Sequence, residues 1–132
     1  MYIDSPGGPI KESLPIISTM NGIKCPIATF CRGDAGGSAA VIAAHGAAGF
    51  RVAAPGARFS FRRPGTSRPE HDLVSDERLL LTLAEILAKD VRKMEKEVLS
   101  WLTTGADLTA DQALTHHLID RVSAKPLMPV SA

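Results

Sequence analysis

Ser38, directly behind the run Gly33-Asp34-Ala35-Gly36-Gly37, is a candidate nucleophile in this chain of 132 residues. A serine hydroxyl attacks a carbonyl only with a base in hydrogen-bond reach, a carboxylate to orient the base, and N–H donors for the oxyanion. Four histidines are available as bases. His45 stands seven residues beyond Ser38 on the same predicted helix, which sets it about 10 Å away along the axis. A base must come within about 3 Å, directly or through one water, so His45 does not readily serve. His71, in a polar Pro/Gly-punctuated stretch, is the other possibility, with Asp107 as a distant orienter. His116 and His117 read as surface residues at the end of a short helix. The competing role for Ser38 is to cap the helix that begins there. Cys25 and Cys31 lack a metal-type spacing and no His pair completes one. They read as buried apolar thiols in a reducing compartment. No metal or other cofactor is implied.

The elements that must position these residues follow from periodicity and turn chemistry. Tyr2-Ile3-Asp4-Ser5 reads as the end of a strand entering the Pro6-Gly7-Gly8 turn, a strand with no upstream neighbour to satisfy its backbone. Ile10, Leu14, Ile17, Met20 and Ile23 recur at helical spacing, with regular helix expected from Ser13 so that Pro15 falls in the first turn. Ile27–Cys31 is a short buried strand, Gly33–Gly37 a loop, and Ser38–His45 a compact Ala-rich helix. Phe50–Ala54 and Arg58–Phe61 are strands separated by Pro55-Gly56. A long amphipathic helix is expected from an N-cap at Ser75 to Trp101, on a stripe of Leu80, Leu83, Leu87, Val91, Met94, Val98 and Trp101. Thr109 is the predicted N-cap of a short helix, and Leu118–Val122 a last strand. Alternating strands and helices imply an α/β domain over residues 1–124, with 125–132 as a loose tail.

Composition narrows the function classes. The chain is 45% apolar and 22% charged, as in ordinary globular proteins. Aromatics are only 5%, so Ala, Val, Ile and Leu must build the core. Fifteen basic and fourteen acidic residues leave a net charge of +1, no footprint for nucleic acid or an anionic membrane. No apolar run spans a bilayer and no signal-peptide pattern opens the chain, so a cytoplasmic location is expected.

Four stretches in order resemble the proteolytic subunit of the Clp protease, a family of the crotonase-like superfold. They are Tyr2-Ile3-Asp4-Ser5-Pro6-Gly7-Gly8, then Cys31-Arg32-Gly33-Asp34-Ala35, then Gly46-Ala47-Ala48-Gly49-Phe50-Arg51 with Pro55, Arg58 and Pro64, and last Leu108-Thr109-Ala110-Asp111-Gln112-Ala113 with Leu118-Ile119-Asp120. The pattern runs from Tyr2 to Pro64 without a gap. The resemblance implies a stack of β-β-α units whose protruding handle helix, here Ser75–Trp101, pairs two seven-membered rings. It also implies that the first strands of the fold and the N-terminal pore segment are absent from this chain.

Carried over by position, the family's nucleophile falls on Gly37, its base on Arg62 and its carboxylate on Gly105, counted back from Leu108. Glycine has no side chain, and a guanidinium accepts no proton. The N–H groups of Gly8 and Ser38 match the family's oxyanion hole, and with Arg62 they could bind a carbonyl or carboxylate of a peptide. The leading expectation is a catalytically inactive Clp-type subunit that assembles with itself or with other Clp-type proteolytic subunits. Contact with the family's unfolding ATPase would need the N-terminal segment. The alternatives are an active ATP-dependent serine endopeptidase using Ser38, and a crotonase-like acyl-thioester-binding protein. Against the last, no Glu is placed near the hole for acid–base work.

Overall fold

A computed structural model describes residues 1–7, 10–61 and 73–127, with residues 10, 11 and 73–77 as backbone only. Its elements are β1 (Tyr2–Ser5), α1 (Ile10–Gly22), β2 (Thr29–Gly36), α2 (Ser38–Ala44), β3 (Arg51–Ala53), β4 (Arg58–Phe61), α3 (Leu73–Val91), α4 (Glu95–Thr104), β5 (Ala106–Thr109), α5 (Ala110–Thr115) and β6 (Arg121–Val122). This is the α/β arrangement expected from the alternation of patterns.

The organising strand is β2. Thr29–Cys31 pairs in parallel with β3, and Asp34–Gly36 pairs in parallel with β4. β1 runs parallel to both halves, at Tyr2↔Phe30, Ile3↔Cys31 and Ser5↔Ala35, with a register break between Ile3 and Ser5. The opening strand therefore finds its partner downstream rather than upstream. β2 also extends five residues past the expected strand, through most of the predicted Gly33–Gly37 loop. Ladder bonds to β1 and β4 hold that stretch extended, and the Asp34 N–H donates to Asp4 Oδ1 at 3.0 Å. Pairing on both flanks overrides the weak β-propensity of Gly and Asp. β6 joins β3 in parallel, and β5 joins β4 antiparallel at Ser60↔Asp107 and Phe61↔Ala106.

Helix α1 begins at Ile10, three residues earlier than expected, and carries Pro15 inside it. Pro15 thus forgoes one intrahelical bond, the bond its N–H would have made to the Lys11 carbonyl. Ile17 and Met20 of the predicted stripe are buried, while Ile23 lies beyond the helix and is exposed. In α2, six of the seven residues are buried, which small side chains permit because they let the helix lie close on the sheet.

The single long helix expected over 75–101 is two. α3 starts at Leu73, ahead of the predicted cap at Ser75, and ends at Val91; α4 begins at Glu95. Arg92 takes φ 57°, and Lys93 N–H reaches back to the Ala88 carbonyl at 3.0 Å. That pattern is a Schellman ending, with Arg92 in the left-handed position usually given to glycine. Met94, expected on the buried stripe, is 75% exposed in the link. The break redirects the chain so that Leu83, Leu87 and Val91 on α3 and Val98 and Leu102 on α4 all reach the core with Phe59, Phe61 and Leu118.

Thr109 caps α5 as expected. Its hydroxyl accepts the Gln112 N–H at 3.3 Å, and Gln112 Oε1 accepts the Thr109 N–H at 3.0 Å, a reciprocal capping box. The last strand is shorter than predicted: Leu118 and Ile119 are core residues of the approach, and only Arg121–Val122 pairs.

Candidate functional site

The site is built on the turn from β2 into α2. One residue, Gly37, makes it, with φ 52° and ψ −117°. Its N–H donates to the Ser60 carbonyl at 2.6 Å, which pins the turn to β4. A strand–turn–helix corner with positive φ at its apex is the geometry that exposes a nucleophile in hydrolases. A Cβ built on Gly37 would meet nothing within 4 Å, so the space for a side chain is open. The Pro6-Gly7 turn lies flat against this corner. A Cβ on Gly36 would fall 2.1 Å from the Pro6 carbonyl oxygen, so only glycine permits the approach. A groove of about 470 Å³ opens beside the corner, lined by Ile3, Ser5, Gly7, Ile16 and Ser38 among others.

Gly105 sits across β4 from this corner. It joins α4 to β5 at φ 87° and ψ 148°, and a Cβ there would lie 3.2 Å from the Phe61 carbonyl oxygen. Gly37 and Gly105 therefore flank the last two residues of β4, Ser60 and Phe61. Gly8, Arg62 and His71 lie outside the described residues.

Ser38 is the first residue of α2, buried at 8% exposure, and borders the groove. It is not the cap expected of it. The N-cap is Gly37, and no side chain caps the helix, because the turn is completed one residue earlier than the sequence pattern suggests. His45 stands at the opposite end of α2. Its Nδ1 lies 2.7 Å from Asp90 Oδ2 and its Nε2 lies 2.7 Å from Asn21 Oδ1. Both ring nitrogens are thus engaged away from Ser38. Asp107 is exposed on β5, opposite Ser60. His117 is exposed, but His116 departs from the surface role expected for it. It is half-buried edge-on to Trp101, with ring centroids 5.4 Å apart, and its buried Nδ1 has no partner among the described residues. Trp101 screens it from solvent, which the position at a helix end did not reveal.

The two thiols differ, contrary to the expectation that both are buried. Cys25 is exposed in the loop before β2. Cys31 is fully buried, and burial above all pushes its pKa up to about 11. At pH 8, iodoacetamide should alkylate Cys25 within minutes and leave Cys31 untouched until the chain is unfolded in urea. Peptide mass spectrometry reads both sites, and rapid native modification of Cys31 would contradict the packing.

A polar network not foreseen from the sequence holds the back of the domain. Arg51 is buried at 7% exposure in β3. Its Nε and Nη2 donate to the two carboxylate oxygens of Asp120 at 2.9 and 2.8 Å. Its Nη1 donates at 3.1 Å to both the Ala44 and Asp90 carbonyls, which end α2 and α3. Asp120 also accepts N–H bonds from Gly49 and Arg51. Burial alone would raise the Asp120 pKa, but the Arg51 bonds and charge outweigh it and hold the carboxyl below its ordinary value. Both residues stand in the sequence motifs, yet they are 69 positions apart. The only local signal is a cation inside an apolar strand. Among the described residues, no group of three His, Cys, Asp or Glu could hold a metal ion, and no helix is long and apolar enough to cross a membrane.

A scaffold of this topology, with a hydrolase-type corner at the end of its central strand, matches the family model of the Clp protease over residues 1–126. The chain belongs to the Clp protease family. It is 35% identical over 130 residues to an ATP-dependent Clp protease proteolytic subunit-like protein of Streptomyces coelicolor, covering 92% of this chain and 62% of that one. It is 32% identical over 133 residues to ATP-dependent Clp protease proteolytic subunit 3 of Synechococcus, covering 96% and 66% respectively. The chain thus spans 62–66% of the length of these curated relatives. A crystal structure of a peptidase from Plasmodium falciparum superposes with a TM-score of 0.81 over 94% of this chain and 75% of that one. At 23% identity it shows the shared fold.

Proposed function

We propose that the chain is a Clp-type proteolytic-subunit homologue without peptidase activity of its own, serving as a structural partner in assemblies with itself or with other Clp-type subunits. The observation that carries this reading is Gly37. The corner has the backbone conformation and the open space of a nucleophile seat, and the residue in it has no nucleophile. The same frame puts a glycine at 105, in a backbone conformation that disfavours any side chain, and an arginine at 62. Ser38 does not replace the missing group. It is buried, it is held at the start of α2, and the histidine of that helix is tied to Asp90 and Asn21. The groove beside the corner is open, which supports binding of an extended peptide without its cleavage.

A fluorophosphonate probe tests the reading. The purified chain should show no labelling above a heat-denatured control, and Ser38→Ala should change nothing. Labelling that vanishes in Ser38→Ala would overturn the proposal in favour of a relocated nucleophile. Co-purification with catalytic Clp-type subunits, read by native mass spectrometry, tests the assembly half separately.

A further inference from the structure

On the side of the domain where α2 and α3 end lies a second cavity, of about 370 Å³, bordered by Lys89, Arg92, His117, Arg51 and Asp120 with Gly49 among the small residues of its wall. Two of its residues share a peculiarity. Arg92 and His117 are the non-glycine residues with positive φ among the described residues, at 57° and 64°. Each is the left-handed residue of a Schellman ending: Lys93 N–H bonds the Ala88 carbonyl after α3, and Leu118 N–H bonds the Ala113 carbonyl after α5. Glycine is the usual occupant of such a position because any Cβ there is strained. Here two separate helices keep long, nitrogen-bearing side chains at it, and both border one cavity. Strain of this kind gathers where function requires it.

The charges point the same way. Both carboxylates at the cavity are already committed. Asp120 takes four N–H donors, and Asp90 Oδ2 is held by His45. The carbonyls that end α2 and α3 are bonded by Arg51 Nη1. Lys89, Arg92 and His117 have no side-chain partner among the described residues. A lysine in the last turn of α3 is favoured by the helix dipole alone. The same dipole favours cations at the ends of α3 and α5, but it does not require left-handed side chains where glycine would serve, nor that both border one cavity. Lys93, the neighbouring cation, is instead turned toward Glu97 and the Trp101 ring.

We propose that this cavity binds a phosphate group, with Lys89, Arg92 and His117 as its donors. Three donors from two separate helix endings can meet a tetrahedral dianion, whose oxygens accept in all directions rather than in one plane and whose second charge strengthens each bond. The group could arrive as free phosphate or on a small phosphorylated metabolite, and the cavity volume admits either.

Inorganic phosphate titrated into the 132-residue chain at constant ionic strength, with chloride as the balancing anion, tests this. Calorimetry should show saturable binding at one site, and the Tm should rise with phosphate. Lys89→Gln/Arg92→Gln should weaken binding at least tenfold with unchanged far-UV circular dichroism. Arg92→Gly is the sharper variant. It should raise the Tm of the phosphate-free protein by relieving the left-handed strain, yet lose most of the phosphate-dependent rise. Absence of any response beyond chloride, or an equal response in wild type and both variants, would overturn the site. Competition by a phosphate monoester as strong as that by inorganic phosphate would identify a phosphorylated metabolite as an admissible source, and its failure to compete would restrict the site to the free anion.

Discussion

Arg51→Met is expected to lower the stability of the domain by about 3 kcal/mol or more, the cost of breaking a buried, hydrogen-bonded ion pair from one side. Methionine fills a similar volume but supplies none of the four side-chain bonds that Arg51 makes. Asp120 would keep only its two backbone N–H donors. The carbonyls that end α2 and α3 would lose their shared partner, and β3 would keep only backbone bonds to Asp120. Arg51→Lys should be damaging too, because an ammonium cannot reproduce the planar fork that meets both carboxylate oxygens. Asp120→Asn should cost less than Arg51→Met, since the amide retains one acceptor oxygen. Urea denaturation followed by circular dichroism measures all three. The pH dependence has a definite sign. The Asp120 carboxyl is held below its unfolded value, so its contribution is complete at neutral pH. It is lost as pH falls below about 4 toward the depressed folded value. Arg51→Met should therefore flatten the acid limb of the stability profile as well as lower it. An Arg51→Met chain as stable as wild type would show that the network is dispensable.

Where the sequence was readable, the reason is local. Thr109 and Gln112 stand three apart, so their capping box needs no tertiary information. Ser38–Ala44 is unmistakably a compact helix because its residues are small and end in a change of pattern. Where it misled, the deciding interactions are remote. Asp34, Ala35 and Gly36 look like a loop, and become strand only because Arg58–Ser60 and Ser5 pair beside them. The stripe through Val91, Met94 and Val98 keeps helical spacing across a real break, since spacing alone does not register the Schellman turn at Arg92. β5 carries a two-residue alternation of only four positions, too short to separate from the end of a helix. For the site, the motif frame located the corner at Gly37 but not its conformation. The same frame could not reveal that Gly105 abuts the Phe61 carbonyl, or that Arg51 and Asp120 meet.

Gly37 and Gly105 occupy opposite situations, and a pair of substitutions should separate them. At Gly37 a serine Cβ meets nothing within 4 Å, and its cost is the backbone alone, whose φ of 52° and ψ of −117° lie outside the left-handed helical region and cost a side chain about 1–3 kcal/mol. At Gly105 an aspartate meets both penalties. Its φ of 87° and ψ of 148° lie near a region occupied essentially by glycine, and its Cβ would press on the Phe61 carbonyl oxygen. Gly105→Asp should therefore cost about 3 kcal/mol, at the top of the range for a strained backbone residue. Urea denaturation of the two single variants gives the comparison directly. The chemical consequence follows from the motif frame, which puts an arginine at the base position, 62. Gly37→Ser alone should stay unlabelled by a fluorophosphonate, because the guanidinium of Arg62 cannot take the serine proton. Gly37→Ser/Arg62→His should label slowly, as a hydroxyl with a base but no orienting carboxylate. Adding Gly105→Asp should unfold part of the population instead of accelerating labelling, since the backbone at 105 must move before it can present a carboxylate. Faster labelling in the triple variant, with stability within about 0.5 kcal/mol of the double, would mean that the glycine at 105 is incidental. The expected outcome means the opposite. A side chain alone could refill position 37 and could not refill 105, so a carboxylate at 105 would require the link between α4 and β5 to be rebuilt.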